Sequence, residues 1–316
     1  MFEIIRRPEI EKALLDIDLP GVIERGFVAL SQGKAIAPPV SELRLPRGEV
    51  HIKSGYIAGD AHFVVKLATG FYGNPARGLA SSNGLMLVFD SETGTPAALL
   101  LDEGHLTDVR TAVAGAIAAK YLAPSSVSAI GIIGTGTQAR LQAEHLALST
   151  TAKQILVYGR NPLHVAAYKS ELEKKGFNVR PCNSPGEVAH GARLIVTATP
   201  STQPLLQADD VMPGTHITAV GADSTDKNEL DPALFAKANI VVADSKSQCL
   251  TQGEIHHAVR AGSLDATKIR ELGSIISKSV AGRTSEQEIS IADLTGVAVQ
   301  DIAIALAVWR TVKGKR

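Results

Sequence analysis

Apolar residues recur three and four apart across residues 8–33, through Ile10, Leu14, Leu15 and Ile17 and then Val22, Ile23 and Phe27. That spacing predicts helix. The stretch "APPVSEL" reads as an extended connection. Shorter runs of strand type follow at Val50–Lys53, His62–Leu67, Leu85–Asp90 and Pro96–Leu101, the last two joined by the hairpin-like turn "DSETGTP". An all-β stretch after one helical stretch predicts an α+β domain. From Thr107 the pattern changes. "TDVRTAVAGAIAAKYLAP" reads as an alanine-rich helix with Thr107 as N-cap and Pro124 beyond its end. Strands and helices then alternate: Val127–Ile133, Gln138–Ser149, Gln154–Tyr158, Pro162–Lys175, Asn178–Pro181, Leu194–Ala198, His216–Val220 and Ile240–Ala243. This alternation predicts an α/β fold with a Rossmann-type, doubly wound parallel sheet. The tail, "DLTGVAVQDIAIALAVWRTVKGKR", is one more helix, whose apolar face needs a partner that the N-terminal domain is expected to supply. The doubly wound domain is therefore expected over residues 119–297, inserted into a smaller α+β domain of residues 1–118 plus 298–316.

A length of 316 residues allows two domains with real cores. Apolar residues at 45% with aromatics at 4% suit an Ala/Val/Ile/Leu-rich α/β protein. Basic and acidic residues balance at 32 each, which argues against nucleic acid or a membrane surface as partner. "MFEIIRRPEIEKALL" lacks the apolar core of a signal peptide, and no apolar run approaches the ~20 residues of a membrane span. Two cysteines, Cys182 and Cys249, fit ordinary thiols in a reducing cytoplasm.

Gly134-x-Gly136-x-x-Ala139 follows the run "SAIGII" and opens a helix, the context in which this pattern binds a dinucleotide. The first glycine permits the turn, the second lets backbone approach a pyrophosphate, and the third small residue lets helix and strand pack. The helix N-terminus then offers its N–H groups to phosphate. At the end of the next strand, Gly159-Arg160-Asn161 carries no acid and one cation. An acid there would bond the ribose 2′-hydroxyl of NAD, whereas a cation favours NADP(H) over NAD(H). The alternative is a solvated loop arginine.

Four other side chains are candidates for chemistry. Lys66, on the same strand face as Val64 and His62, is either an edge-strand charge, which composition alone favours, or a buried site group. Arg110 falls in the first turn of the alanine-rich helix, where a cation opposes the helix dipole unless it holds an anion. It could equally reach a neighbouring acid at the surface. Asp223 follows a strand on the side where doubly wound sheets bind ligands, and is either a proton-exchanging group or a turn cap. Lys227, four residues on, is its ion-pair partner or reaches the cofactor. The one adjacent histidine pair, His256-His257, has no cysteine or acid at ligand spacing, so no metal site is expected.

The segments "VVKLATGFYGNP", "GLASSNGLMLVFDSETGTPAALLLDEGHLTDVRTAVAGAIAAKYLA", "IGIIGTGTQA" and "VGADSTDKNELDP" together resemble the ornithine cyclodeaminase/μ-crystallin family over nearly the whole chain. "LTDVRTA" and "VGADS…KNELDP" are specific to it, and the glycine turn alone is not. "PPVSEL", "GEVHIKSGYI" and "TGFYGNP" are most similar to the branch linked to ectoine utilisation and small imine reductases. The resemblance implies a homodimer joined through the α+β domain, with substrate between that domain and the nucleotide domain. It implies hydride transfer between nicotinamide and the α-carbon of a small amino or imino acid. Lys66 then matches a substrate-contacting lysine, Arg110 the arginine gripping the carboxylate, and Asp223 the catalytic acid/base. Ser81, Thr137, Gln138, Thr199, Val220 and Lys227 match cofactor-side positions, and Thr295 with Gly296 lies near nicotinamide and substrate. Two departures stand out. "PPVSELRLPR" offers Arg44 and Arg47 where many members have a second substrate arginine, neither in register, and Ser41 is nearer. Gly159 stands where ornithine cyclodeaminases carry an acid. These features imply an NAD(P)H-dependent reductase of a ketimine or Δ1-pyrroline-2-carboxylate type. The alternatives are an ammonia-releasing cyclodeaminase that recycles its cofactor, and a non-catalytic NADPH-dependent binding protein of μ-crystallin type.

Overall fold

Asp18 and Pro20 break the N-terminal helical pattern in two. A short strand, β1 (Glu3–Arg6), precedes α1 (Arg7–Leu14), and a new helix, α2 (Leu19–Ser31), starts where the Asp18 carboxylate accepts the Gly21 N–H at 3.1 Å. The single helix expected over residues 8–33 is thus two, because an N-cap acid with proline in the first turn starts a helix afresh. The computed structural model describes residues 2–71 and 73–315. It divides into two units, Met1–Arg110 with Val297–Arg316, and Thr111–Gly296.

In the first unit the chain continues through β2 (Ala35–Ile36), β3 (Ser41–Leu45), β4 (Gly48–Ile57), β5 (His62–Gly70), β6 (Ser82–Asp90) and β7 (Pro96–Leu101). They form one sheet in the order β1-β7-β6-β5-β4-β2, with β3 paired to β4. All pairs are antiparallel except β1 with β7. The end of "APPVSEL" is therefore strand, not connection. Helix α3 (His105–Leu122) follows. It begins two residues before Thr107, and its first turn is satisfied by Asp102, whose carboxylate accepts the Leu106 N–H at 2.9 Å. Thr107 is therefore inside the helix and does not cap it. The chain passes from the first unit into the second along this helix.

The second unit alternates strand and helix: β8 (Ala129–Ile133), α4 (Thr137–His145), β9 (Gln154–Tyr158), α5 (Pro162–Lys174), β10 (Asn178–Pro181), α6 (Pro185–Gly191), β11 (Leu194–Thr197), β12 (His216–Ala219), α7 (Ala233–Lys237), β13 (Ile240–Ala243), α8 (Lys246–Cys249), α9 (Gly253–Arg260), β14 (Ile269–Glu271), α10 (Leu272–Ile276) and β15 (Ser290–Asp293). The sheet is wholly parallel, in the order β10-β9-β8-β11-β12-β15-β13-β14. Its inner strands β8, β11, β12, β15 and β13 are buried along their whole length, as a sheet covered on both faces requires. Strand order reverses between β8 and β11, and in such sheets ligands bind beyond the strand ends at that reversal. The last helix, α11 (Ala298–Gly314), returns to the first unit and packs on α2, β4 and β5. It supplies Ile302, Ala305, Leu306 and Trp309 to that unit's core.

The two glycines of the β8–α4 turn have different jobs. Gly134 adopts φ +127°, donates to the Tyr158 carbonyl at 2.9 Å, and leaves no room for a side chain, since a Cβ would lie 2.6 Å from the Ala198 carbonyl oxygen. Gly136 has an ordinary φ of −80° and open space where its Cβ would be. Gly134→Ala is therefore expected to destabilise the protein by ~1–3 kcal/mol, and Gly136→Ala by less than ~0.5 kcal/mol. Thermal or urea denaturation of the two variants measures the contrast, and equal losses would contradict it.

Candidate active site

Lys66 lies on β5 with a hydrogen-bonded strand on either side. The edge-strand reading is therefore wrong: alternation turns Val64 and Lys66 to the buried face, and Lys66 is 2% exposed. A buried ammonium needs a partner, and α11 provides one. Asp301 Oδ1 accepts Lys66 Nζ and Arg110 Nε, each at 2.9 Å. Gln300 Oε1 takes Arg110 Nη1 at 2.5 Å. Arg110 is thus not a first-turn residue opposing the helix dipole. It stands in the second turn of α3, buried, with its charge met by Asp301.

Two cations share one carboxylate, so the cluster carries excess positive charge. Lys53, the register partner of Lys66 on β4, adds to it. Burial pushes Lys66 down to about 7; Asp301 opposes that shift, and Arg110 and Lys53 reinforce it. Burial alone would raise Asp301, but Arg110 and Lys66 outweigh it and hold the carboxyl below its ordinary value. Three buried polar atoms in and beside the cluster have no hydrogen-bond partner among the described residues: Asp301 Oδ2, Gln300 Nε2 and Asp102 Oδ1. Such atoms are usually completed by water or a ligand. Two of the three are carboxylate oxygens, which accept, and one is an amide NH2, which donates.

Lys53, Gln300 and Asp301 were not candidates on sequence. The last two had a signal, an amide and an acid inside the apolar run "VAVQDIAIALAV", where a solvated helix face would repeat its polar positions. Arg44 is bound to Glu42 at 2.9 Å on the exposed strand β3, and Arg47 is exposed in the turn after it. Ser41 opens β3, also exposed. Ser81, also in the first unit, precedes β6, and its carbonyl accepts the Phe71 N–H at 2.7 Å.

The other candidates belong to the second unit. Gly134, Gly136, Arg160, Asn161 and Thr199 line a cavity of about 350 Å3. Gly136 is the N-cap of α4 and supplies no side-chain cap. This fits a pyrophosphate: a helix N-terminus begun by glycine, open space at that glycine, and a cavity at the strand reversal. Asn161 Oδ1 caps α5 through the Leu163 N–H at 2.9 Å, while Arg160 is exposed at the cavity rim. Asp223 is 51% exposed after β12 and accepts Lys227 Nζ at 2.6 Å. Val220 is buried at the end of the same strand. His256 and His257 each place a ring nitrogen against a backbone carbonyl, of Leu250 and Lys227.

Four buried acids at the strand ends hold the loops. Asp244 accepts the Thr295 hydroxyl at 3.0 Å and the Gly296 N–H at 2.7 Å. Asp293 accepts the Ile255 N–H at 2.8 Å. Glu229 bonds Thr199 and Gly221, and Glu254 bonds the backbone at Glu229 and Leu230. Burial pushes Glu229 up to about 7. Burial, then the Glu229 charge, pushes Glu254 up to about 8. None of the four was a sequence candidate.

A family model described as the ornithine cyclodeaminase/mu-crystallin family matches residues 3–316. An uncharacterized cyclodeaminase of Sinorhizobium fredii is 44% identical, over 92% of this chain and 89% of that one. An archaeal alanine dehydrogenase dimer solved with bound NAD superposes with a TM-score of 0.90 at 32% identity, covering 99% of this chain and 96% of that one. The Δ1-pyrroline-2-carboxylate reductase of Thermococcus litoralis, in complex with NADH and L-proline, gives 0.91 at 28% identity, with 99% and 98% covered. Among the described residues no helix is long and apolar enough to cross a membrane. By fold, by sequence over nearly its whole length, and by the segments that first suggested it, this chain belongs to the ornithine cyclodeaminase/μ-crystallin family.

Proposed function

We propose that this protein is an NAD(P)H-dependent oxidoreductase that reduces a small α-imino acid of ketimine or Δ1-pyrroline-2-carboxylate type. The observation that carries this reading is the buried Lys66–Asp301–Arg110 cluster, whose excess positive charge suits a carboxylate. The relatives named as an alanine dehydrogenase and a Δ1-pyrroline-2-carboxylate reductase, solved with NAD and with NADH, support it. Gly134, Gly136, Thr137 and Gln138 would hold the pyrophosphate, with Ser81, Thr199, Val220, Lys227 and Thr295 as further cofactor contacts and Gly296 beside the substrate. When bound, the nicotinamide supplies a hydride to the substrate's α-carbon.

Lys66 and Arg110 bind the carboxylate, with Asp301 keeping both cations in place before substrate arrives. Fixed charges of this kind need not reorient as charge shifts during reaction. Asp223 gives the proton that the nitrogen takes as C=N becomes CH–NH, and Lys227 orients its carboxyl. Absence of an acid at Gly159-Arg160-Asn161 supports NADP(H) over NAD(H). Exposed Leu43 and Leu45 on β3, all five residues of which face solvent, support a homodimer through this sheet, as does the dimeric alanine dehydrogenase relative. A cyclodeaminase is the second reading, supported by the name of the Sinorhizobium fredii relative.

A 340 nm assay of NADPH and NADH against cyclic imines and keto acids with amines tests the proposal. Net loss of absorbance is expected. Ammonia release from a diamino acid without net absorbance change would put the cyclodeaminase in its place. Asp223→Ala is expected to lower turnover by roughly 10²–10⁴-fold and leave cofactor binding intact. A near-normal rate would remove Asp223 from the mechanism.

Lys66 must be protonated to hold a carboxylate, and it is protonated below about 7. The kcat/KM for imino acid is therefore expected to be level at lower pH and to fall as pH rises through about 7, since this parameter reports the free enzyme. In Lys66→Arg, which stays charged, that decline should vanish; a decline at the same pH would assign it elsewhere. Arg160→Ala is expected to raise the Kd of NADPH roughly tenfold or more and to leave that of NADH nearly unchanged. Equal effects on both would refute the 2′-phosphate role.

A further inference from the structure

The loops after β11 and β12 emerge just beyond the strand reversal, and one side chain ties them together. Glu229 Oε1 accepts both the N–H and the hydroxyl of Thr199 at 2.7 Å. Its Oε2 accepts the Gly221 N–H at 3.0 Å. The side chain is fully buried. Its own backbone is held from below, because Glu254 accepts the N–H groups of Glu229 at 2.7 Å and Leu230 at 3.0 Å, and Asn228 Nδ2 at 2.7 Å. Gly221 has to be glycine for the bridge to exist. A Cβ there would lie 2.2 Å from the Thr199 carbonyl oxygen and 2.3 Å from Glu229 Oε2.

Three donors thus converge on two oxygens. A carboxylate satisfies all three. A glutamine at this position would turn an NH2 toward one of the donors, and a donor would face a donor. The bridge also decides what Thr199 offers to the cavity it lines. Its hydroxyl hydrogen is committed to Glu229, and one lone pair takes the Ser201 N–H at 3.3 Å. What is left is a single acceptor. An acceptor suits a sugar hydroxyl or an amide N–H and repels a phosphate oxygen.

We propose that Glu229 is a positioning residue for the cofactor, setting the spacing of the Thr199 and Gly221 loops and turning the Thr199 hydroxyl into an acceptor for a hydroxyl or amide N–H of the dinucleotide. This rests on the reading of the cavity as a dinucleotide site. Glu229 itself touches neither cofactor nor substrate.

The test is titration of the full-length protein with NADPH and NADH, followed by nucleotide fluorescence, with the thermal midpoint of each variant recorded. Glu229→Gln is expected to weaken cofactor binding roughly 10–100-fold. Its KM for cofactor should rise by a similar factor, while kcat at saturating cofactor stays within a few-fold. Thr199→Val is expected to weaken binding in the same way, and Thr199→Ser to restore it. The double variant Glu229→Gln/Thr199→Val should bind no worse than the weaker single variant, because both remove one linkage. Wild-type Kd values in Glu229→Gln, or additive losses in the double variant, would overturn the proposal. Should Glu229→Gln not fold, Thr199→Val with a wild-type Kd would overturn it alone. A wild-type protein that binds neither nucleotide would instead sink the cofactor reading, and this inference with it.

Discussion

The first unit is organised round one carboxylate. Asp301 receives an ammonium from the middle of a sheet and a guanidinium from the helix that follows it, both on the same oxygen. Neither cation could be buried without it, because a lone charge in an apolar core costs several kcal/mol. Nor could Asp301 sit 2% exposed inside α11 without them. The pairing fixes the last helix of the chain against β5 and α3, and so brings the C-terminus back to the unit where the chain begins. It is not an optimal ion pair. Oδ2 of the same carboxylate has no hydrogen-bond partner, and a hydrophobic trio of similar volume would pack at lower cost.

The second unit meets the same constraint with opposite charge. Loops at the ends of parallel strands leave backbone N–H groups that neither sheet nor helix satisfies. Here Glu229, Glu254, Asp244 and Asp293 take them. Each of these acids accepts from backbone, so the loops are held from inside. At the start of α4 the N-cap is Gly136, which has no side chain to supply such a bond. Where these loops are tied, a buried carboxylate fills the space between them; at the β8–α4 turn the position is left to glycine.

How much of this was legible depended on whether a residue's role was local. The β8–α4 turn was, because Gly134 and Gly136 state a backbone requirement that sequence spacing carries directly. The strand–helix alternation of the second unit was legible for the same reason, period by period. Lys66 was not. Alternation gave the correct face of its strand, but strand order is a tertiary fact, and the neighbours β4 and β6 make an edge charge impossible. Arg110 was placed one turn too near the start of its helix, since Asp102 competes successfully with Thr107 to begin α3. Asp301 lies 191 residues from its arginine, and no local pattern couples them. The break at Asp18–Pro20 was written in plain capping chemistry and was hidden by a hydrophobic period that runs on across it.

The charge balance of the Lys66 cluster is set by burial as much as by pairing. Among Lys66, Arg110 and Asp301 alone, the pairing leaves one positive charge when Lys66 is protonated and none when it is neutral. Because burial brings the lysine down to about 7, both states lie within reach near neutrality. The net charge of this buried trio is therefore tied to a single proton on Lys66. That linkage follows from burial beside Arg110 and Lys53, and a solvated lysine, with its ordinary value above 10, would not provide it.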